Sequence, residues 1–323
     1  IASCLVGSEM CIRDRYNMVR TTKEDIYMKV GFIGLGIMGK PMSKNLLKKG
    51  HDLVVCSHGE DAVNELVALG AKKAANGSEV AKECNVIITM LPNSPQVRDV
   101  CLGKGGIIEA AKPGTVVIDM SSIDPVETRS IGAELEKKGI ELMDCPVSGG
   151  EPKAIDGTIS VMAGGRKETF DKYYDLIMCM AGSAVYVGPL GSGNITKLAN
   201  QIIVACNIAA VGEALTFATK SGADPELVYK AIRGGLAGST VLDAKAPMML
   251  DRNFKPGFRI ELHIKDLNNA LNAAHAVASP TPLTANVMEM MTYLKADGYS
   301  KEDHSSLVKY YEKLAGVEVK RHE

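Results

Sequence analysis

The chain has 323 residues, of which 46% are hydrophobic and 23% charged, and its 37 basic and 38 acidic side chains give a net charge of −1. This near-neutral balance, without a basic run, excludes a protein that binds nucleic acid or an anionic membrane surface by charge. The length favours two domains, each large enough to have its own hydrophobic core.

The first 27 residues stand apart from the rest of the chain. The stretch VGSEMCIRDR, residues 6–15, matches one reading frame of a transposase adapter used to prepare sequencing libraries. Residues 1–27 also lack the long apolar core of a secretory signal. We therefore expect them to be a non-native or disordered extension, with a native start at Met18 or Met28.

Strands and helices are predicted to alternate from Met28 onward. MKVGFIG and HDLVVCS are apolar runs typical of buried strands, and MGKPMSKNLLKKG between them has the pattern of a helix. Further strands are predicted near 71–74, 85–92, 115–122, 140–150, 158–165 and 183–188, and further helices at 60–69, 77–84 and 166–179. Val- and Ile-rich strands separated by helices indicate a doubly wound α/β domain with a parallel sheet over residues 28–190.

The pattern changes after Gly188. Residues 194–319 show successive helical stripes of Ala, Leu and Met, which predict an all-helical domain over 191–323. The most apolar window, residues 202–218, contains Asn207 and Glu213, and we expect no membrane span there. The eight cysteines include no Cys-x-x-Cys pair, which favours a reducing, cytoplasmic location. The six histidines have no metal-ligand spacing, so no metal site is expected.

A glycine-rich turn follows the first predicted strand. Its sequence fits the pattern G-x-G-x-x-G, and it consists of Gly34, Leu35, Gly36, Ile37, Met38 and Gly39. The motif lies between a strand and a helix in the first βα unit, where its backbone N–H groups would face a pyrophosphate. This context predicts a dinucleotide-binding domain of the Rossmann type.

The end of the second strand contacts the adenosine ribose in such domains. An acid there would accept a hydrogen bond from the 2′-hydroxyl of NAD and repel the 2′-phosphate of NADP. This chain has Ser57 and His58 at that end, with acids only later, at Glu60 and Asp61. We interpret Ser57 and His58 as cofactor-binding residues, although a simple turn is an equal alternative. The choice between NAD and NADP stays open.

Other polar groups follow the ends of three more predicted strands. They are Pro92 and Asn93, then Ser121 and Ser122, then Ser148, Gly149 and Gly150. Ligands of doubly wound folds bind beyond the carboxyl ends of the strands, and hydroxyl and exposed N–H groups suit an anion such as a carboxylate. An ordinary turn explains the Ser-Gly-Gly stretch equally well.

One predicted helix, GNITKLANQIIVACNIAA (193–210), is almost entirely small or apolar. Lys197, Asn200 and Gln201 nevertheless lie on one of its faces. Such a lysine is usually a residue at the rim of the core, its ammonium group in water. Here, however, it follows the predicted sheet domain, where the cleft should be, and burial would lower its pKa toward neutrality. Lys197 is therefore a candidate for proton transfer.

Residues 28–319 resemble the β-hydroxyacid dehydrogenase family, and within it most closely the tartronate semialdehyde reductases. Seven long strings carry the resemblance: GFIGLGIMGKPMSKNLL, ITMLPNSP, IDMSSIDP, DCPVSGGEPKAIDGTISVM, GNITKLANQ, GGLAGSTVLDAKAP and FKPGFRIELHIKDL. The resemblance implies reversible reduction of a three-carbon aldehyde acid, tartronate semialdehyde, to D-glycerate with NADH or NADPH. It also implies a homodimer or homotetramer.

The resemblance further implies a role for individual residues. Lys197 would be the catalytic acid and base, with Asn200 and Gln201 positioning substrate. Ser122 would lie near both nicotinamide and substrate, and Ser148, Gly149 and Gly150 would bind the substrate carboxylate. The segment from Gly31 to Asn45, together with Leu91, Pro92, Asn93 and Lys265, would bind the cofactor, with Asp266 beside Lys265.

The sequence departs from the family's pattern at Ser57 and Cys145, and several other functions compete with this interpretation. The family's close members usually have an acid where Ser57 stands, so their preference for NADH does not carry over, and Cys145 replaces their usual alanine. The nearest rivals are dehydrogenation of 3-hydroxyisobutyrate or another short β-hydroxy acid, and reduction of succinic semialdehyde. A non-catalytic nucleotide-binding protein is the rival of another class, and the presence of Lys197 disfavours it.

Overall fold

A computed structural model describes residues 28–321, and the expectation for residues 1–27 lies outside this range. The strands fall in the first part of the chain. They are β1 (Lys29–Ile33), β2 (Asp52–Cys56), β3 (Lys72–Lys73), β4 (Val86–Thr89), β5 (Val116–Asp119), β6 (Glu141–Asp144), β7 (Val147–Ser148), β8 (Ile159–Gly164) and β9 (Ala181–Gly188).

The strands form one twisted sheet. Its order is β3-β2-β1-β4-β5-β6-β8-β7, and β9 also pairs with β8. Strands β1 to β6 are parallel, and β4 and β5 are buried along their whole length, as a sheet covered on both faces requires. The predicted doubly wound fold is confirmed.

One edge of the sheet adds a feature that the sequence pattern did not indicate. Strand β8 runs antiparallel to β6 and β7, and β9 is parallel to β8. The connection between β7 and β8, residues 149–158, is shorter than the dozen or so residues that a parallel crossover needs. The chain therefore reverses direction at this edge.

Helices cover both faces of the sheet. They are α1 (Gly39–Lys48), α2 (Glu60–Ala68), α3 (Gly77–Glu83), α4 (Ser94–Leu102), α5 (Pro125–Glu136), α6 (Gly150–Asp156) and α7 (Lys167–Met178), with a 3₁₀ turn at Ile107–Glu109. Two clusters of buried apolar side chains pack between these helices and the sheet, one around Phe32, Met42 and Ile118 and the other around Ile87 and Ile131.

The rest of the described chain is helical. It contains α8 (Ser192–Lys220), α9 (Pro225–Ile232), α10 (Thr240–Leu250), α11 (Ile260–Ala276), α12 (Pro282–Ala296) and α13 (Val308–Ala315), with a 3₁₀ turn at His304–Leu307. The 29-residue α8 contacts every other helix of this group, and its Ala205, Ile208 and Leu215 lie in a separate apolar core. The helices thus pack around α8.

Within residues 28–321, α8 alone has the length and composition of a membrane-spanning helix, with a mean hydropathy of 1.7 in its most apolar window. A single such helix is weak support for a membrane span, because the central helix of a soluble protein has the same character. The packing of the other five helices against α8 accounts for its apolar composition.

Candidate active site

The glycine-rich turn joins β1 to α1. Gly34 has a φ of +98°, and a Cβ atom there would collide with the carbonyl oxygen of Met90; a Cβ at Gly39 would collide with the carbonyl oxygen of Gly34. Gly36 differs, since nothing lies within 4 Å of the place where its Cβ would be. The turn thus presents an open backbone surface, and α1 begins without a side-chain cap, which leaves N–H groups for an anion. This arrangement fits the pyrophosphate of a dinucleotide.

Ser57 lies beside this turn. Its Oγ accepts a hydrogen bond from the backbone N–H of Leu35 at 3.3 Å, and the N–H of Gly34 donates to the carbonyl oxygen of Cys56 at 2.9 Å. His58 is exposed to solvent. The structure thus joins Ser57 to the cofactor turn, with His58 next to it at the surface.

A lysine of α11 joins the ends of β4 and β5 to the helical part. Lys265 Nζ donates to the carbonyl oxygen of Ser122 at 2.7 Å and to that of Pro92 at 3.2 Å. One turn later on α11, Asn269 Nδ2 donates to Asn93 Oδ1 at 3.2 Å. Leu91 precedes this group, and its N–H donates to Ser121 Oγ at 2.8 Å. These bonds bring together the predicted residues Leu91, Pro92, Asn93, Ser122 and Lys265.

Lys197 lies one turn into α8 and is 7% exposed. Among residues 28–321 its Nζ has neither a hydrogen-bond nor an ion-pair partner. Burial lowers the pKa of the Lys197 ammonium; the nearby Asp266 carboxylate opposes this effect and Lys265 reinforces it. An ammonium group without a partner, whose proton is held less tightly than usual, can give that proton to a substrate and take it back.

The two amides predicted beside Lys197 belong to one chain of contacts. Asn200 Nδ2 donates to Gln201 Oε1 at 2.9 Å, and Gln201 Nε2 donates to Asp266 Oδ2 at 2.6 Å. The other oxygen of Asp266 lies 2.9 Å from Lys265 Nζ. The polar face of α8 is therefore linked to α11, while Lys197 on the same face stays outside this chain.

Ser148, Gly149 and Gly150 lie at the end of β7 and the start of α6. Gly149 has a φ of +139° and Gly150 a φ of +71°, so both adopt a backbone conformation that favours glycine. In the described part of the chain no hydrogen bond joins these three residues to Lys197, Asn200 or Gln201. Their role toward a substrate carboxylate stays a prediction.

Sequence reasoning missed an aspartate that fixes the start of α8. Asp144, fully buried at the end of β6, accepts from the N–H of Gly191 at 2.8 Å and from that of Asn194 at 2.7 Å. Burial raises the pKa of Asp144 to about 6, although both bonds oppose the shift. A negative charge at the N-terminus of a helix stabilises it. Asp144 therefore clamps the helix that carries Lys197 to the sheet.

Asn194 completes this clamp. Its Oδ1 accepts from the N–H of Ile123 at 3.0 Å, and its Nδ2 donates to Thr128 Oγ1 at 3.1 Å. Both partners follow β5 in the chain. Since these contacts join residues 66 to 71 positions apart, a local pattern could not reveal them.

A second buried aspartate ends β5. Asp119 Oδ1 accepts from Thr89 Oγ1 at 2.8 Å and from the N–H of Ser121 at 3.1 Å. Burial raises its pKa to about 6, against the effect of these hydrogen bonds. Because Thr89 ends β4 and Ser121 holds Leu91, Asp119 fixes the relative position of the two cofactor-side strand ends.

A pair of buried histidines, His263 and His304, connects α11 to α8. His263 Nε2 lies 3.2 Å from the carbonyl oxygen of Gln201, and His263 Nδ1 lies 2.9 Å from His304 Nδ1. Burial lowers the pKa of His263 to about 4, so the ring is neutral at pH 7. A carbonyl oxygen only accepts, which places the His263 proton on Nε2 and makes His304 Nδ1 the donor between the rings. The scattered histidines of the sequence gave no sign of this pairing.

Comparison with known proteins identifies the family. The model of the NAD-binding domain of 6-phosphogluconate dehydrogenase matches residues 29–188, and the model described as the NAD-binding region of NADP-dependent 3-hydroxyisobutyrate dehydrogenase matches residues 191–311. The 2-hydroxy-3-oxopropionate reductase of Escherichia coli is 44% identical over 89% of this chain and 98% of its own length. The chain belongs to the β-hydroxyacid dehydrogenase family. The predicted resemblance is confirmed.

Other members of the β-hydroxyacid dehydrogenases are also similar. The 2-(hydroxymethyl)glutarate dehydrogenase of Eubacterium barkeri is 36% identical over 90% of this chain and 97% of its own. The structure of 3-hydroxyisobutyrate dehydrogenase from Mycobacterium tuberculosis with L-serine superposes with a TM-score of 0.83 at 29% identity, covering 88% of this chain and 98% of the other. The protein is an NAD(P)-dependent oxidoreductase that acts on a CH–OH group, as predicted.

Proposed function

We propose that this dehydrogenase reduces tartronate semialdehyde (2-hydroxy-3-oxopropanoate) to D-glycerate, reversibly, with NADH or NADPH. The 44% identity to the E. coli 2-hydroxy-3-oxopropionate reductase, which extends over nearly the whole of that enzyme, supports this choice of substrate. One structural observation carries the chemistry: Lys197 is a buried residue whose Nζ has no partner among residues 28–321, and it lies near Lys265, which joins two strand ends.

Lys197 acts on the reacting oxygen. When bound, the reduced nicotinamide supplies the hydride. The protonated Nζ of Lys197 donates to the aldehyde oxygen as it gains negative charge, and in the oxidising direction the neutral amine takes the hydroxyl proton. Stabilisation of that charge in a site from which water is excluded contributes more than proton transfer alone. The lowered pKa of Lys197 makes its ammonium a stronger acid than an exposed lysine and increases the fraction of neutral amine that can accept a proton.

The neighbouring residues hold the reactants. Asn200 and Gln201 present amide groups on the face of α8 that carries Lys197, with Gln201 oriented by Asp266. Ser148 and the N–H groups of Gly149 and Gly150 bind the substrate carboxylate, because successive N–H groups in such a turn form a concave site for an anion. Ser122 lies between substrate and cofactor, and its carbonyl is held by Lys265.

The proposed function comes with a domain organisation, a cellular location and an oligomeric state. Residues 28–190 form the dinucleotide-binding domain and residues 191–323 the helical domain that carries the catalytic lysine. The enzyme works in the cytoplasm as a homodimer or homotetramer. The six cysteines of the described chain are all free thiols, which supports a reducing compartment.

Initial rates on a panel of aldehydes test the substrate. Tartronate semialdehyde, the aldehyde of 3-hydroxyisobutyrate and succinic semialdehyde would each be reduced with NADH and with NADPH under identical conditions. We expect the highest kcat/KM for tartronate semialdehyde, by at least about tenfold, since a site built to bind a hydroxyl group discriminates strongly against substrates without it. A higher value for either of the other aldehydes contradicts the proposal.

A further inference from the structure

The turn assigned to the substrate carboxylate has a lysine side chain lying across it. A Cβ atom at Gly149 would be 2.7 Å from Cδ, 2.9 Å from Cβ and 3.3 Å from Cγ of Lys153. The apolar stem of Lys153 therefore runs over Gly149, and a side chain at position 149 could not share this space. Since the ammonium group is only two bonds beyond Cδ, it stays close to the same turn.

The backbone of α6 holds this lysine in place. The carbonyl oxygen of Lys153 accepts from the N–H groups of Gly157 and Thr158, the latter at 2.8 Å, and these bonds end the short helix. The next residue, Ala154, is fully buried, and its carbonyl oxygen accepts from Asn45 Nδ2 at 2.8 Å. Asn45 belongs to α1, so α6 is joined to the helix that follows the glycine-rich turn.

The ammonium group of Lys153 is available to an anion. The residue is exposed, and among residues 28–321 its Nζ has neither a hydrogen-bond nor an ion-pair partner. Within that range the acids of the same helix, Glu151 and Asp156, do not pair with it either. An exposed lysine usually extends its ammonium into water, whereas this one has its stem on a glycine turn whose N–H groups form a concave anion site.

We propose that Lys153 is a further substrate-binding residue, whose ammonium pairs with the substrate carboxylate at the turn that begins with Ser148 and selects aldehyde acids over neutral aldehydes. This inference rests on the proposed function, which puts the carboxylate at this turn. The turn's N–H groups carry no net charge and bind any acceptor, whereas a full positive charge distinguishes a carboxylate from a neutral group. Lys197 remains the acid for the aldehyde oxygen at the other end of the substrate.

Steady-state reduction of two aldehydes by the full chain tests the assignment. Glyceraldehyde differs from tartronate semialdehyde only in having a hydroxymethyl group in place of the carboxylate. Lys153→Met keeps an apolar stem over Gly149 and removes the charge. It should raise the KM for tartronate semialdehyde by about five- to thirtyfold, through loss of one charge-assisted contact, with kcat within about twofold of the wild type. The kcat/KM for glyceraldehyde should not change.

The ionic strength provides a second measurement of the same contact. Salt weakens the attraction between an exposed ammonium and a carboxylate. Added salt should therefore raise the KM for tartronate semialdehyde more steeply in the wild type than in Lys153→Met.

Three controls make the test specific. Lys153→Arg keeps the charge and should hold the KM within about threefold of the wild type. Lys112→Met removes the same charge from an exposed position before the start of β5, whereas the turn follows the end of β7, and it should change neither KM. Calorimetric titration of Lys153→Met with the reduced cofactor alone should give the wild-type dissociation constant, which excludes the cofactor pyrophosphate as the anion bound. Thermal melting of each variant checks that it is folded.

Several outcomes would overturn the assignment. They are an unchanged KM for tartronate semialdehyde in Lys153→Met, an equal loss with glyceraldehyde, a loss that Lys153→Arg does not restore, equal salt dependence of variant and wild type, or weaker cofactor binding. If tartronate semialdehyde is a poor substrate of the wild type, the proposed function fails. The best aldehyde acid of the panel then replaces it, beside its own hydroxymethyl counterpart, so the two proposals fail separately.

Discussion

Helices α8 and α11 each carry one lysine of the candidate site, and the surroundings of these two lysines are opposite. Lys265 of α11 is bound by two backbone carbonyls of the strand ends and by Asp266. Lys197 of α8 is buried and has no partner within residues 28–321. The same side chain thus serves as a connector where it is paired and remains available for proton exchange where it is not.

The two helices also differ in where they are bonded to the sheet. Helix α11 is joined to the sheet through its middle, by Lys265 and Asn269. Helix α8 is joined at its start, by Asp144 and Asn194, one turn before Lys197. Because the bonds to the sheet are made by other residues, Lys197 does not have to form any. We infer that the clamp allows Lys197, the proposed catalytic group, to remain unpaired.

The largest effect should come from replacing the two lysines in turn by methionine, which keeps a long apolar side chain and removes the charge. Lys197→Met should lower kcat by about 10²–10⁴-fold with the affinity for cofactor retained, since the proton donor is lost. Lys265→Met should instead raise the KM for cofactor and leave kcat within about tenfold of the wild type. Steady-state kinetics and cofactor titrations measure both.

This matched pair distinguishes a proton donor from a connector. Similar losses of kcat in the two variants would show that both lysines act by holding the halves of the site together. A normal kcat in Lys197→Met would remove the catalytic assignment.

Sequence patterns predicted the parts of this site that depend on local order. The glycine-rich turn is recognisable because Gly34 and Gly39 are needed within six residues of one another, and the stripe with Lys197 follows from helical spacing. The clamp was missed because Asp144 reaches residues 47 and 50 positions away. The pairing of His263 with His304 spans 41 positions. Such contacts depend on tertiary packing.

A smaller effect is expected from Asp144→Asn. The amide has the shape of the carboxylate but presents one acceptor and one donor to two N–H groups, so one of these groups loses its partner in a fully buried place. We expect a loss of about 2–4 kcal/mol in the free energy of unfolding, and a roughly tenfold lower kcat as the start of α8 shifts under Lys197. Chemical denaturation and kinetics measure the two effects.

Asp171→Asn is the matched control for the clamp. Asp171 is an exposed aspartate on α7, paired with Lys167 at the surface. Its replacement should leave both stability and kcat close to the wild type, because exposed ion pairs contribute little. If Asp144→Asn behaved in the same way, the clamp would have no part in positioning Lys197.

The smallest expected effect is on the free energy of unfolding, which Lys197→Met and Lys265→Met should change in opposite directions. A buried ammonium without a partner destabilises the fold, so Lys197→Met should raise the free energy of unfolding by about 1 kcal/mol at pH 7. Lys265→Met should lower it by about 1–3 kcal/mol, since two carbonyls lose a donor and Asp266 loses its ion pair. Denaturant titration of the two variants beside the wild type measures this opposition.

The pH dependence of stability provides a second test of the effect of Lys197→Met. The pKa of Lys197 in the folded chain lies below its unfolded value of 10.5, so between these two values the unfolded state binds more protons and wild-type stability rises with pH. Below the folded pKa the ammonium is charged in both states and its burial cost is fully present. The advantage of Lys197→Met should therefore be greatest below the folded pKa and shrink as pH rises from that value toward 10.5. A constant advantage would mean that its origin is the packing of the methionine and not the charge of Lys197.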